Sequence, residues 1–260
     1  MAYIVSIHSF RGGTGKSNIT ANLAAQVALT GKKVAIIDTD IQSPGIHVPF
    51  GLDADTMGHT LNEFLNGECT IQEAALSIGD FPGDDPGRLK LKGQDLWLVP
   101  SSINGGDISQ ILREGYDINR LNEGIQTLLR GMELDYLFID THPGLHEETL
   151  LSLAISDILL IVLRPDQQDF QGTTVTVDIA LGLDVPYPFL VLNMVLTSKY
   201  DSAQISKEVE ETYGVPVAGV LPLAEALVDL GSTDIFTLCE PGHAWSKELA
   251  KITQAVLSAE

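Results

Sequence analysis

The sequence predicts an α/β fold, a doubly wound and mostly parallel sheet with helices on both faces. Short apolar runs rich in β-branched residues alternate with longer segments of helical period along the whole chain. Several apolar runs lack polar alternation, which is typical of strands that are buried on both sides. A glycine-rich turn joins the first apolar run to the first helical segment. Together these features favour strand–helix–strand units over an all-helical or all-β architecture.

Seven apolar runs are predicted to be strands, and each is bounded by glycine, proline or polar residues. Most are too short to form a helix of ordinary length. The first, in "MAYIVSIHSF", is expected to be a strand and not a signal peptide, because it lacks a basic segment and is interrupted by polar residues. The predicted strands are 3–9, 33–38, 96–100, 136–140, 158–163, 189–195 and 216–221.

Seven segments between the strands have helical spacing of apolar residues. Gly31 is expected to cap the first of them at its C-terminal end. The stretch 78–95 is rich in Gly, Pro and Asp and is predicted to be a surface loop. We therefore expect a single domain over 1–260. The predicted helices are 16–31, 57–66, 107–131, 145–156, 169–183, 201–213 and 243–258.

Composition and charge limit the partners of the chain. Its 260 residues are 44% hydrophobic, which is enough for a large buried core. Lys and Arg total 15 against 35 Asp and Glu, so the net charge is -20. Such a field repels polyanions, and DNA binding is therefore expected to be unlikely.

The spacing of the cysteines and the length of the apolar segments indicate where in the cell the protein is expected. Cys69 and Cys239 form no CxxC pattern, which argues against a zinc or cluster framework and fits a reducing cytoplasm. Both are expected to be buried thiols. No window holds about 18 unbroken apolar residues, as a membrane-spanning helix requires. We accordingly expect a cytoplasmic protein.

The stretch "RGGTGKS" carries the strongest functional signal. Glycines after a strand let backbone amides surround phosphate oxygens, and the following helix N-terminus adds partial positive charge. Lys16 is expected to hold the β and γ phosphates, and the Ser17 hydroxyl to bind Mg²⁺. A glycine-rich turn without a ligand is the structural alternative. The candidate nucleotide-binding residues of this segment are Gly12, Gly13, Thr14, Gly15, Lys16, Ser17 and Asn18.

The loop departs from the standard phosphate-binding pattern, because Phe10 stands where a glycine is needed. It resembles instead the loop of the MinD/ParA family, also called deviant Walker A ATPases, whose pattern is K-G-G-x-G-K-[ST]. The resemblance extends over essentially the whole chain. It implies a P-loop ATPase that uses ATP and Mg²⁺ and closes into a homodimer in the ATP state.

Two acidic segments resemble the switch regions of that family. In "IIDTDIQSPG", Asp40 matches the residue that orients the attacking water, and Asp38 matches its companion near the metal. In "LDYLFIDTHPG", Asp140 matches the Walker B aspartate, which holds Mg²⁺ through water. The implied metal set is therefore Ser17, Asp38 and Asp140. For Asp38, capping of a neighbouring helix is the alternative role.

The adenine contacts and the signature residue also follow from the resemblance. "LVLNMV" and "VAGVLPLAEAL" resemble adenine-recognising segments, which implies Asn193 and Pro222 as base contacts. Arg11 replaces the signature lysine that reaches the nucleotide of the opposite subunit. We hypothesise that Arg11 acts in trans, together with Lys16 and Asp40 in catalysis. Slower hydrolysis, or a surface charge without the cross-contact, are the alternatives.

Three weaker signals receive ordinary structural interpretations. His142 and His146 lack the HExxH order of a zinc helix, and His146 is expected near a helix start. Arg164 is predicted to form a solvated strand-end pair with Asp166. The final helix carries an apolar stripe and few basic residues, so it is expected to pack in the core and no membrane-targeting helix is evident.

The expected function is that of a Mg²⁺-dependent ATPase, slow and stimulated by an unidentified protein partner, that positions or partitions a cargo. Two alternatives remain open. One is a maturation or metallochaperone ATPase, for which one cysteine per subunit would have to bridge a metal in the dimer. The other is a regulatory module that binds ATP with little hydrolysis, with which the change to Arg11 is compatible.

Overall fold

One sheet organises the chain in a computed structural model that describes residues 2–81 and 83–259. Met1, Pro82 and Glu260, which belong to the predicted domain, lie outside the described residues. The strands of the described part are β1 (Tyr3–His8), β2 (Val34–Asp38), β3 (Leu76–Ser77), β4 (Leu96–Val99), β5 (Tyr136–Asp140), β6 (Ile158–Leu163), β7 (Tyr187–Val195) and β8 (Val217–Pro222).

The strand order confirms the predicted doubly wound α/β class. It is β3-β4-β2-β5-β1-β6-β7-β8, and only the short edge strand β3 runs antiparallel to its neighbour. The helices of the described part are α1 (Lys16–Ala28), α2 (Leu61–Asn66), α3 (Gly105–Glu114), α4 (Ile118–Gly131), α5 (Glu147–Ala154), α6 (Gln167–Gly182), α7 (Ser202–Tyr213), α8 (Glu225–Leu230), α9 (Phe236–Cys239) and α10 (Ala244–Ser258).

The central strands are apolar on both faces because both faces are covered. On β5, Phe138 packs in the cluster formed with α1 and α10, whereas Leu137 and Ile139 pack with α4 on the other side. On β6, Leu159 and Ile161 belong to a third cluster with α6 and α7. This double burial explains why the sequence shows continuous apolar runs instead of alternation.

The register of the parallel strands brings their carboxyl ends to one edge. Asp38 at the end of β2 pairs in register with Asp140 at the end of β5, and Ile7 of β1 pairs with the same Asp140. The crevice outside this edge is where open α/β sheets bind ligands. The fold therefore gathers the predicted acidic residues beside the glycine-rich turn that follows β1.

Several predicted boundaries are wrong for local reasons. The helix predicted over 107–131 is two helices, separated at Gly115, whose φ of 70° is in the left-handed region. The helix predicted over 57–66 begins only at Leu61, because Thr60 forms a capping box with Glu63. α1 ends at Ala28, so Gly31 lies in the turn beyond it and is not its cap.

The shortest helices and strand were not predicted from the sequence. β3 has two residues, α9 has four and α8 has six, so none is long enough to show a repeated hydrophobic period. The loop predicted over 78–95 contains a 3₁₀ turn at Arg88–Leu91. These elements matter because α8 lies beside the candidate site.

The end of the chain follows the predicted core role. The stripe on α10 is buried, as expected. The two cysteines are half-buried, whereas buried thiols were predicted, and Cys239 Sγ lies 3.1 Å from Asp234 Oδ2. Within residues 2–81 and 83–259, none of the helices combines the length and apolarity needed to cross a bilayer. The buried stripe is Trp245, Leu249, Ile252 and Val256.

Candidate functional site

The turn between β1 and α1 forms one wall of a cleft of about 360 Å³. Gly13 and Gly15 have φ values of 76° and 91°, a left-handed conformation that glycine adopts without strain. Gly15 precedes the first helical residue, and no side chain caps the N-terminus of α1. The first amides of α1 are therefore available to an anion. The cleft is lined by Gly12, Gly13, Gly15, Lys16, Ser17, Asn18, Asp40, Ser43 and Pro143.

Asn193 holds this turn from strand β7, which is separated from β1 by β6. Its side-chain amide donates a 2.8 Å hydrogen bond to the carbonyl of Thr14, and the residue is almost fully buried. A Cβ at position 15 would come within 2.5 Å of the same amide, so Gly15 is required by close packing as well as by its backbone angles. Asn193 thus fixes the shape of the loop.

A second cavity, of about 190 Å³, adjoins the loop through Gly15 and Asn18. It brings together Asn193 and Pro222, the residues expected near a base, with Asn18 of the loop segment. The loop after β8 also lines it, as the resemblance of "VAGVLPLAEAL" implies, whereas the walls from the end of the short helix α8 and from α10 were not predicted. These walls include Leu223, Ala224, Leu227, Val228 and Trp245.

Three carboxylates and one ammonium meet at the end of β2 and β5. Asp38 and Asp140 are inaccessible to solvent, and Lys16 and Asp40 are buried with them. Burial raises the pKa of Asp140 to about 6, although hydrogen bonds from Ser17 and Thr20 and the charge of Lys16 oppose the shift. Burial and the neighbouring carboxylates also raise the pKa of Asp38. The ionised carboxylates are thus costly without a further cation.

The carboxylate oxygens fit a hard divalent ion. Oδ2 of Asp38 and Oδ2 of Asp140 are buried and have no hydrogen-bond partner, which is unusual for charged atoms. Oδ1 of Asp38 accepts from the Asp40 amide at 3.0 Å, so this side chain caps no helix among the described residues. Oxygen donors of this kind suit Mg²⁺. Ser17, Asp38 and Asp140 therefore form a chemically suitable set.

Two opposing effects act on the pKa of Lys16 at this site. Burial lowers its pKa, and the charges of Asp140, Asp40 and Asp38 raise it. A triphosphate in the cleft would meet a positive charge that is already in place.

Arg11 points toward helix α6 of its own chain. Its guanidinium lies 3.5 Å from Asp169 and 3.9 Å from Asp166. Asp169 is buried and also receives Nε of Arg164 at 3.0 Å. The solvated strand-end pair predicted for Arg164 is therefore incomplete, because its shorter contact is with buried Asp169 and its contact with Asp166 is 3.3 Å. Phe10, next to Arg11, packs closely against Gly172 of the same helix.

The segment after β5 contributes a contact that sequence reasoning missed. Nδ1 of His142 lies 2.6 Å from Oδ1 of Asp40. His146 precedes the first residue of α5, as expected, and its ring lies 5.0 Å from the ring of His142. No group of three or more His, Cys, Asp or Glu suited to a metal occurs in the described part of the chain.

A comparison with protein families decides the relationship. Residues 2–180 match the model of a family described as an AAA domain. The chain belongs to this family. The match includes the loop, both acidic segments and Arg11, and it ends within α6.

Relatives of this AAA-domain protein include an iron-sulfur cluster carrier protein and a ParA family protein, and a solved MinD structure shares its fold. An iron-sulfur cluster carrier protein of Methanocaldococcus jannaschii is 27% identical, with 97% of this chain and 84% of the relative aligned. A ParA family protein of Chlamydia muridarum is 29% identical over 74% and 71% of the two chains. The septum site-determining protein MinD of Pyrococcus horikoshii, complexed with Mg-ADP, superposes with a TM-score of 0.79 at 21% identity, covering 98% and 96%.

Proposed function

We propose that this AAA-domain protein is a Mg²⁺-dependent ATPase whose ATP-bound homodimer positions or partitions a cargo or protein complex. One observation carries the proposal: the uncapped N-terminus of α1 and the buried Lys16 line a single cleft, and the charges of Asp38 and Asp140, each with one unpartnered carboxylate oxygen, act on Lys16 from the strand ends behind it. The ParA family relative and the MinD structure with Mg-ADP support the nucleotide and the role. The cargo is left open by this proposal.

In this proposal the chain binds ATP mainly through its backbone. Amides of residues 12–17 surround the phosphates, and Lys16 holds the β and γ phosphates. Ser17, Asp38 and Asp140 hold Mg²⁺, which neutralises charge on the phosphate oxygens when it is bound. Asp40, which lines the same cleft, orients the attacking water. Catalysis is electrostatic, with no covalent intermediate on the protein.

The base is proposed to enter the cavity beside Asn18. The apolar side chains of this cavity favour a planar heterocycle, and the polar groups of Asn18 and Asn193 supply orientation. Pro222, at the end of β8, lines the same space. The arrangement continues directly from the phosphate cleft through Gly15.

The name of one relative favours a second function, iron-sulfur cluster maturation. A cluster shared by two subunits would need a thiol from each of them. Cys239 is engaged with Asp234, and burial raises the pKa of both cysteine thiols, which disfavours thiolate ligands. Metal analysis of purified and reconstituted protein distinguishes the two functions: bound iron would support maturation, and its absence supports positioning.

Calorimetry with Mg·ATP tests the proposed binding. We expect one site per subunit and a clear loss of heat when Mg²⁺ is omitted. For Asp40→Ala, calorimetry should show binding close to that of the wild type. A phosphate-release assay should show turnover reduced by about a hundredfold. The absence of binding by the wild-type protein would rule out the nucleotide function altogether.

Arg11 is proposed to act on the nucleotide of the partner subunit. In one chain it is tied to Asp166 and Asp169, so dimer formation has to exchange these contacts for phosphate oxygens. We expect Arg11→Ala to lower ATP-driven dimerisation and turnover together, by about tenfold or more. Arg11→Lys keeps the charge and tests whether the planar fork is needed.

The control for Arg11 is Arg113→Ala, which removes an exposed arginine from α3. Sedimentation in the presence of Mg·ATP gives the dimer fraction, and phosphate release gives turnover. If Arg11→Ala dimerises and turns over like the control, Arg11 is only a surface charge near the nucleotide.

A further inference from the structure

We propose that His142 is a positioning residue for ATP hydrolysis that acts through Asp40. This inference rests on the proposed function and adds a residue to it. Nδ1 of His142 lies 2.6 Å from Oδ1 of Asp40, a distance typical of a strong, charge-assisted hydrogen bond. An ionised carboxylate can only accept, so the imidazole Nδ1–H is the donor.

The contact restrains Oδ1 of Asp40 and leaves Oδ2 available to another donor. Oδ1 also accepts from the backbone amide of Ser43 at 3.1 Å. Both of these bonds use the same oxygen, and a carboxylate has a second oxygen with which to accept a bond from water. Because two donors on different segments restrain Oδ1, the direction of Oδ2 is restrained with it. The pair therefore sets where Asp40 holds a water in the phosphate cleft.

His142 is itself held in place by helix α5. Its carbonyl accepts from the Thr149 hydroxyl at 3.4 Å, and its ring lies beside that of His146. The side chains of His142 and Asp40 are 12% and 13% exposed, so water competes little for their bond. His142 thus joins the segment after β2 to the segment after β5 at the reacting end of the cleft.

The ring also borders open space, which makes substitution feasible. His142 lines a cavity of about 250 Å³ on the side formed by α3 and α4. A smaller side chain enlarges this cavity and leaves the hydrophobic clusters of the sheet intact. Variants at this position are therefore expected to fold.

Steady-state kinetics test the positioning role. We expect His142→Ala to lower kcat by about tenfold to a hundredfold, because a misdirected water reacts poorly, while KM for ATP changes less than about twofold. His142→Asn should recover most of the loss, since its amide nitrogen can replace Nδ1 as a donor. His142→Leu, which has no donor, should not.

The matched control is His59→Ala. Nδ1 of His59 lies 3.2 Å from Glu63, so this variant removes a similar histidine–carboxylate pair from an exposed helix start. We expect its kcat to equal that of the wild type. Equal kcat for His142→Ala and His59→Ala, with normal Mg·ATP binding, would overturn the inference but leave the proposed function intact.

A double-mutant cycle separates positioning from a general structural role. If His142 acts through Asp40, the kcat of Asp40→Ala and that of Asp40→Ala/His142→Ala should agree within about twofold. A further loss of the size seen in the single variant would mean that His142 acts independently of Asp40. A wild-type protein that fails to bind Mg·ATP would instead contradict the proposed function.

A measurement without nucleotide checks the hydrogen bond itself. Long-range ¹H–¹⁵N spectra should show His142 protonated at Nδ1 in the wild type, and Asp40→Ala should shift the resonances toward the Nε2–H form that free imidazole favours. Spectra that are insensitive to Asp40→Ala would contradict the pairing.

Discussion

Asp140→Asn is expected to stabilise the nucleotide-free protein while it strongly lowers the rate of ATP hydrolysis. Burial raises the pKa of Asp140 from 3.8 to about 6, and its Oδ2 has no partner. Between these two values the native state binds more protons than the unfolded state, so stability falls as pH rises. Above about pH 6 the penalty is fully present, at up to about 3 kcal/mol. Asparagine removes the charge and keeps the shape.

The gain in stability should therefore depend on pH. Thermal denaturation at about pH 7.5 should show Asp140→Asn more stable than the wild type, and the difference should shrink toward about pH 4, where both forms are neutral. Turnover should fall by about a hundredfold or more, because a ligand to Mg²⁺ is lost. Stability and activity thus move in opposite directions at one position.

Asp117→Asn is the control for the loss of one negative charge. Asp117 caps α4 from an exposed position, and asparagine caps helices about equally well. We expect neither stability nor turnover to change in this variant. A stability gain in Asp140→Asn that is independent of pH would show that burial of its charge is not the cause.

Periodicity predicted the sheet well because its strands obey a simple physical rule. β1, β5 and β6 are buried on both faces, so apolar character alone marks them. The same rule fails for β3, whose two residues are half-buried at an edge. It also fails at Gly115, where a single left-handed residue divides one helical pattern into two helices.

The candidate site also has one part that the sequence predicts and another part that it does not. The loop at 12–17 is contiguous, so its spacing alone predicts the phosphate cleft. The bond between His142 and Asp40 joins residues 102 positions apart, and that between Arg11 and Asp169 spans 158. Such contacts depend on strand order, which a hydrophobic pattern does not encode. The resemblance to the MinD/ParA family suggested Asn193 as a base contact, and the structure adds its hydrogen bond to the loop carbonyl of Thr14.

Lys16→Ala is expected to remove nucleotide binding and to destabilise the folded chain. Lys16 is 7% exposed, and burial lowers its pKa although the charges of Asp140, Asp40 and Asp38 oppose the shift. Without this ammonium the carboxylates lose their cation and a bound triphosphate meets net negative charge. We expect affinity for Mg·ATP to fall by at least about a hundredfold and stability to fall by about 3 kcal/mol at neutral pH. Calorimetry and denaturant unfolding measure the two effects.

The exposed Lys33 provides the control. Its ammonium lies 3.3 Å from Glu133 at the surface, and Lys33→Ala should lower stability by less than about 1 kcal/mol with no change in binding.

The effects of Lys16→Ala and Asp140→Asn on stability should also be coupled. Because Lys16 lowers the pKa of Asp140, its removal costs more when Asp140 is present than in an Asp140→Asn background. Additive losses in that double variant would mean that Lys16 stabilises the chain by packing its stem, and that the charge of Asp140 is balanced elsewhere.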